Sequence, residues 1–307
     1  MIISSPWLRS YLSGQTKEPL VISTTGSGGT EKKVEIPAAA LIASANAAHK
    51  YLGAKAGDNW SLLLPNNHIA GINVMARSIL LDSELKNISE RADFTSIVPT
   101  QLHKALNGDT ELLKHLQGCR AVLVGGARTP DNLLEAARAN QINVVTTYGA
   151  TETCGGCVYN GEPLDGIKVR IETGQVEIYF PEMSGENWIK TKDLGTFLDG
   201  KLVITGRADD IIISGGENIS LVRLEKFLEK SFPNQRFVAS SVADDAWGEA
   251  LVLVSDKEFP SNMRDEVQAT LGKFYLPKFS KVVDEIPTIG IGKYDRKKIA
   301  ELFSRYE

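Results

Sequence analysis

The chain has 307 residues, 42% of them hydrophobic and 23% charged, with a formal net charge of -4. That length exceeds one ordinary core and predicts two domains, and the ordinary composition argues against disorder or a fibrous fold. The acidic balance gives no broad basic surface for nucleic acid, and no apolar run approaches the roughly 20 residues that cross a bilayer. In chain order, short β-rich runs at 20–24, 60–65, 94–99, 121–126 and 142–149 read as buried strands. Between them 37–53, 68–81, 100–106 and 130–140 read as helices, an alternation that specifies an α/β domain with helices on both faces of a sheet. From about residue 160 the pattern turns to strands with tight turns, a small β subdomain attached to the first domain. After Gly206 a separate unit begins, with IIIS, LVRLEKFLEKSF, RFVASSVA, EALVLVS, NMRDEVQATLGKF and FSKVVDEI alternating strand and helix. The expectation is a large N-terminal α/β domain over 1–206 and a smaller, mobile α+β domain over 207–307, hinged at the polar junction 206–210.

The N-terminal MIISSPWLRSYLSG lacks the basic start and apolar stretch of a signal peptide, so the expected location is cytoplasmic, without membrane insertion. Cys119, Cys154 and Cys157 are an odd number and suggest reduced thiols rather than a disulfide framework. The C-x-x-C at 154–157 has no second ligand pair for zinc, and a tight glycine turn lining a pocket is the favoured reading.

Five segments carry chemistry. TTGSGGTEKK offers Thr24, Thr25, Gly26, Ser27, Gly28, Gly29, Thr30 and Lys32, glycines and donors suited to an anion. Glu31 stands where a Walker loop needs glycine, and an exposed hairpin loop is the competing reading. TTYGATET places Thr151 and Glu152 at a strand's carboxyl edge, where a threonine can donate to phosphate and a carboxylate can hold Mg²⁺; a helix cap is the alternative. Asp193 in TKDLG reads as the end of a strand, a place for ribose hydroxyls or a plain turn. Arg207, Asp209 and Asp210 occupy the junction before the glycine loop Ser214, Gly215, Gly216 and Glu217. Lys293 follows a Gly-x-Gly element and suits charge developing on a transferred phosphate, or a solvated surface.

With these segments in this order, the chain resembles the acyl-adenylate-forming superfamily of acyl-CoA ligases, luciferases and adenylation domains, from about residue 20 to the end. PNNHIAGINVMAR, IVPTQL, VLVGGA and YGATETCGGCVYNGEPLDG are similar to its o-succinylbenzoate–CoA ligases. The resemblance implies ATP, Mg²⁺ and coenzyme A, an acyl-adenylate intermediate, and release of pyrophosphate and AMP. It implies nucleotide binding by the glycine loop, by Gly125, Gly126, Ala127, Tyr148 and Gly149, and by Asp193 and Arg207. It implies acid binding by His68, Arg77, Gly149 and Gly155, catalysis by Lys293, Glu152 and Thr151, metal binding by Glu152, a pivot at Asp209, and a thioester-step loop at 214–217. Ligases for another aryl or short-chain acid, and a non-catalytic adenylate-binding relative, stay open as alternatives. The sequence departs from the superfamily pattern at Gly28, Glu31 and Lys192, and few residues precede the phosphate loop. A homodimer whose second subunit shields the thinner acyl wall is the resulting expectation.

Overall fold

The computed structural model describes residues 3–25, 31–289 and 293–303 and divides into two compact units, 1–191 with 196–203, and 192–195 with 204–307. In the first unit, helix α1 (Ser5–Leu12) starts where the Ser4 side chain accepts from the Trp7 amide. Strands β1 (Val21–Thr25) and β2 (Glu31–Glu35) then pair antiparallel as a separate hairpin, Thr25 opposite Glu31. Residues 26–30 of the expected phosphate loop lie outside the described residues.

The central sheet forms from β3 (Trp60–Ser61), β4 (Phe94–Ile97), β5 (Ala121–Val124), β6 (Val144–Ala150), β7 (Gly155–Tyr159) and β8 (Glu162–Pro163), side by side in that order. The first four run parallel, and β7 and β8 continue antiparallel. Helices α2 (Ala38–Leu52) and α3 (Ile69–Leu80) cover one face; α4 (Pro99–Leu106), α5 (Thr110–Gly118) and α6 (Asp131–Ala139) cover the other. Strand β5 shows why both faces are apolar. Ala121 and Leu123 join the cluster holding Ala47, Trp60 and Val74, while Val122 and Val124 join that of Leu102, Leu116 and Ala137.

Three local expectations change. The run 60–65 pairs as a strand only through Ser61, because Leu62 turns its amide to the Lys86 carbonyl. Helices α1 and α5 occupy stretches to which the sequence pattern assigns no element. Asp193 does not end a strand. The antiparallel sheet of β9 (Lys168–Glu172), β10 (Gln175–Tyr179), β11 (Trp188–Leu198) and β12 (Lys201–Arg207) carries β11 on to Leu198, after α7 (Pro181–Ser184). The turn falls at Asp199-Gly200, both at positive φ, a pair suited to a two-residue hairpin.

In the second unit β13 (Ile211–Ser214), β14 (Glu217–Ser220), β15 (Phe237–Asp244), β16 (Gly248–Ser255) and β17 (Phe279–Val282) form one sheet, ordered β14-β13-β16-β15 with β17 beside β16. Helices α8 (Leu221–Ser231) and α9 (Met263–Leu271) pack on the face of Leu251 and Leu253. Ile299 and Phe303, in and just after α10 (Arg296–Glu301), pack on the face of Val252 and Val254. The two-residue strands β18 (Thr288–Ile289) and β19 (Lys293–Tyr294) pair just before α10. No helix of the described residues is long and apolar enough to cross a membrane.

Candidate active site

Parallel neighbours β5 and β6 bring two of the expected segments to one carboxyl edge, the position at which open α/β sheets bind ligands. Gly125, Gly126 and Ala127 follow β5, and a Cβ at Gly125 would collide with the Thr147 hydroxyl of β6. Tyr148 and Gly149 sit at a register shift between β6 and β7, where a Cβ at Gly149 would run into the Gly155 carbonyl. The chain then winds through a single 3-10 turn, Thr151–Thr153.

That turn is heavily determined. The Thr153 hydroxyl accepts from the Ala150 amide at 2.8 Å and donates to the Gly155 carbonyl at 2.9 Å. Asn73 of α3 donates to the Cys154 carbonyl at 2.8 Å, which locks the turn to the helix begun by His68. His68 itself is half-buried at the cap position of α3 and makes no capping bond. Gly155, at φ +88, lies so close to Asn73 that an added Cβ would stand 2.7 Å from its amide nitrogen. Asn73 and Thr153 were not among the site residues read from the sequence. Their work is local geometry, visible only once α3 and the turn are side by side.

Glu152 projects from this turn and pairs with Lys32 of β2 at 2.9 Å, with both side chains open to solvent. The residue expected to bind metal and the lysine following the phosphate loop are thus neighbours, although 120 positions apart. No cluster of three or more His, Cys, Asp or Glu side chains suited to a metal exists among the described residues. One accessible carboxylate beside Lys32 nevertheless fits Mg²⁺, which keeps waters and shares phosphate oxygens rather than needing an all-protein cage.

Arg77 is held by other strands, β3, β4 and β7. It is 3% exposed, beneath α3 and against the sheet. Its Nη2 donates to the Tyr159 hydroxyl at 2.9 Å, its Nη1 to Ser96 at 3.5 Å, and its guanidinium covers the Trp60 ring at 5.0 Å. No carboxylate among the described residues pairs with it, and its buried Nε has no partner. The neighbouring His49 also has a buried, unpartnered Nε2; burial first, then the Arg77 charge, lower its pKa to about 4. Cys154 and Cys157 are free and buried, and burial pushes both thiols up to about 12.

The remaining expected residues belong to the second unit. Arg207 donates to Asp193 at 2.7 Å and to Asp209 at 2.8 Å, while Lys192 reaches Asp209 at 3.4 Å. Gly215 and Gly216, with φ of +59 and +84, make the two-residue turn between β13 and β14; Ser214 and Glu217 flank it. The Gly215 amide donates to the Trp247 carbonyl, and the indole, 48% exposed, packs on the glycine. An exposed tryptophan on a glycine turn is a candidate functional group, and the WG pair at 247–248 was its only trace in the sequence. Lys293 begins β19, with its side chain outside the described residues.

Residues 18–183 match the family described as AMP-binding enzyme. A Mycobacterium tuberculosis protein named "Probable 2-succinylbenzoate--CoA ligase" is 34% identical over 93% of this chain and 84% of its own length. The chain belongs to the AMP-binding enzyme family. Among solved structures, this AMP-binding enzyme is similar to o-succinylbenzoate CoA synthetase (MenE) from Bacillus subtilis with the acyl-adenylate intermediate OSB-AMP. That match has 26% identity and a TM-score of 0.76, covering 91% of this chain and 68% of the other. The same Bacillus subtilis synthetase with ATP and magnesium ion matches at 25% identity and a TM-score of 0.77, covering 91% and 69%. The fold is that of acyl-adenylate-forming enzymes.

Proposed function

We propose that the protein ligates o-succinylbenzoate to coenzyme A through an acyl-adenylate, as a cytoplasmic step of menaquinone biosynthesis. The carrying observation is Arg77: a buried guanidinium given only neutral partners and left with an unpaired Nε. A buried cation without a counter-charge is costly, and a substrate carboxylate would supply that charge with paired, charge-assisted hydrogen bonds. Two hydroxyls, on Tyr159 and Ser96, are the groups it would displace or share. Generic fatty acids have no second carboxylate to offer.

The chemistry then divides between two steps. The succinyl carboxylate attacks the α-phosphorus of ATP, the bond to the β-phosphate breaks, and pyrophosphate leaves. The CoA sulfur then attacks the acyl carbonyl, its proton passes to solvent, and AMP departs. Lys32 and Glu152 exchange each other for ligands in the first step: the lysine turns to the phosphates, and the carboxylate would hold Mg²⁺. Bound Mg²⁺ supplies charge neutralisation on the phosphate oxygens. Gly125 to Ala127 and Tyr148 to Thr151 line the nucleotide edge, Asp193 accepts the ribose hydroxyls, and Lys293 bridges the carboxylate and α-phosphate. Asp209 is the pivot between steps, and Ser214 to Glu217, beside Trp247, guide the thiol.

Pyrophosphate release measured with o-succinylbenzoate, benzoate, succinate and a medium-chain fatty acid tests this reading. Release with o-succinylbenzoate alone is expected. Equal release with all four acids, or with none, would overturn it.

A further inference from the structure

Asp210 follows the proposed pivot Asp209, and Arg296 follows Lys293 by three positions. Within the second unit these two segments are joined directly. Arg296 Nε donates to Asp210 at 3.1 Å, and its two Nη atoms donate to Glu225 at 2.6 and 3.1 Å. Its Nη1 also donates to the Ala239 carbonyl, and the Arg296 carbonyl accepts from the Ser240 hydroxyl at 2.8 Å. Glu225 is itself fixed, accepting from the Ala239 amide at 2.8 Å. On the other side of Arg296, the Asp295 amide donates to the Pro287 carbonyl at 2.9 Å, and the Asp295 carboxylate caps α10 through the Lys298 amide.

A partly buried cation shared by two carboxylates is poor evidence for stability, since matched apolar side chains often serve as well. What the fork geometry of an arginine adds is register. Three residues of chain span at most about 11 Å, so holding Arg296 to Asp210 limits how far the Lys293 backbone can stand from Asp209. The glycine turn at 214–217 is held by other groups: the β13–β14 pairing, the Trp247 carbonyl, and Glu249, which accepts from the Ile213 amide at 3.0 Å.

The geometry points to Arg296, clamped by Asp210 and Glu225, as a positioning residue for Lys293 in the adenylation step. It ties the lysine-bearing segment to the pivot, so that placing or withdrawing the lysine and turning at Asp209 are one movement. This rests on the role given to Lys293 above.

The test separates the half-reactions in the full-length protein: ATP–pyrophosphate exchange with o-succinylbenzoate, and thioester formation from supplied acyl-adenylate and CoA. Arg296→Lys keeps the charge but loses the fork, and Asp210→Asn keeps the shape but loses one arm. Each is expected to lower exchange on the order of 10- to 100-fold, the scale of roughly 1 Å of misplacement, with thioester formation within about twofold of the parent. General damage to the second unit would lower both half-reactions together, because the 214–217 turn shares that unit; such parallel loss overturns the inference. Lys293→Ala serves as the reference. Exchange lost in Lys293→Ala but intact in both clamp variants sinks the clamp alone; exchange surviving Lys293→Ala sinks the role of Lys293 and the clamp with it.

Discussion

At Arg77 the chain keeps a positive charge where folding alone gives it little return. Its neighbours are an indole face, two hydroxyls and a neutral imidazole. An arginine kept for structure would lower stability when removed. An arginine kept for a substrate would behave oppositely, and we expect Arg77→Met to raise the melting temperature, by the equivalent of about 1–4 kcal/mol, while weakening use of o-succinylbenzoate about 10- to 100-fold. Thermal melts beside KM measurements check both halves. His49 provides a pH signature for the same cluster. Its pKa falls from 6.5 unfolded to about 4 folded, so the unfolded chain binds the extra proton. Stability is unaffected by this group above about pH 6.5 and declines between about pH 6.5 and 4, by an order of 3 kcal/mol. Denaturant melts across that range should show the acid limb flattened in His49→Phe; an unchanged limb would assign the loss elsewhere.

Among the elements, the turn after β6 depends on α3 through one side chain. Asn73→Ala leaves the buried Cys154 carbonyl without its donor, a loss of about 1–3 kcal/mol. Adenylation should fall with it, because Thr151 and Glu152 sit on that turn; urea melts paired with pyrophosphate release measure the two effects. Helix α5 offers the contrast. Its cap, Asp109 accepting from the Leu112 amide, is far from the sheet edge in function, and Asp109→Ala should cost about 1 kcal/mol with unchanged kcat. The capping aspartate stands in DTELLKHL, but nine residues with three apolar positions give a weak period, and the sequence pattern assigns the stretch no element. The longer helices at 38–52 and 69–80 declared themselves, since their apolar faces extend over three or more turns. Asp193 was misplaced along its strand because TKDLG looks like a stop, whereas the decisive turn residues, Asp199 and Gly200, come six positions later.

For the whole molecule, order along the chain revealed the kind of machine, while contacts between distant segments explain how its parts are held. The Lys32–Glu152 pair and the Arg296 clamp join residues 120 and 86 positions apart, and no local pattern announces either. Trp247 was hidden for a different reason: an exposed aromatic means little until the glycine turn beneath it is seen. In the proposed division of labour the acid and the phosphates fall to the first unit, while Asp193, Arg207 and Lys293 belong to the second, and Lys293 has a role in only one of the two half-reactions. Lys293→Ala should abolish adenylation, by on the order of 10²–10³, and spare thioester formation from supplied adenylate. The most direct measurement of the central claim is a two-by-two comparison of kcat/KM for CoA-thioester formation. It pairs the parent and Arg77→Ala with o-succinylbenzoate and its analogue bearing hydrogen in place of the aryl carboxylate. The account predicts a loss of about 10- to 100-fold from either change and little further loss from both together, since each removes the same contact. Independent, multiplying losses would contradict it.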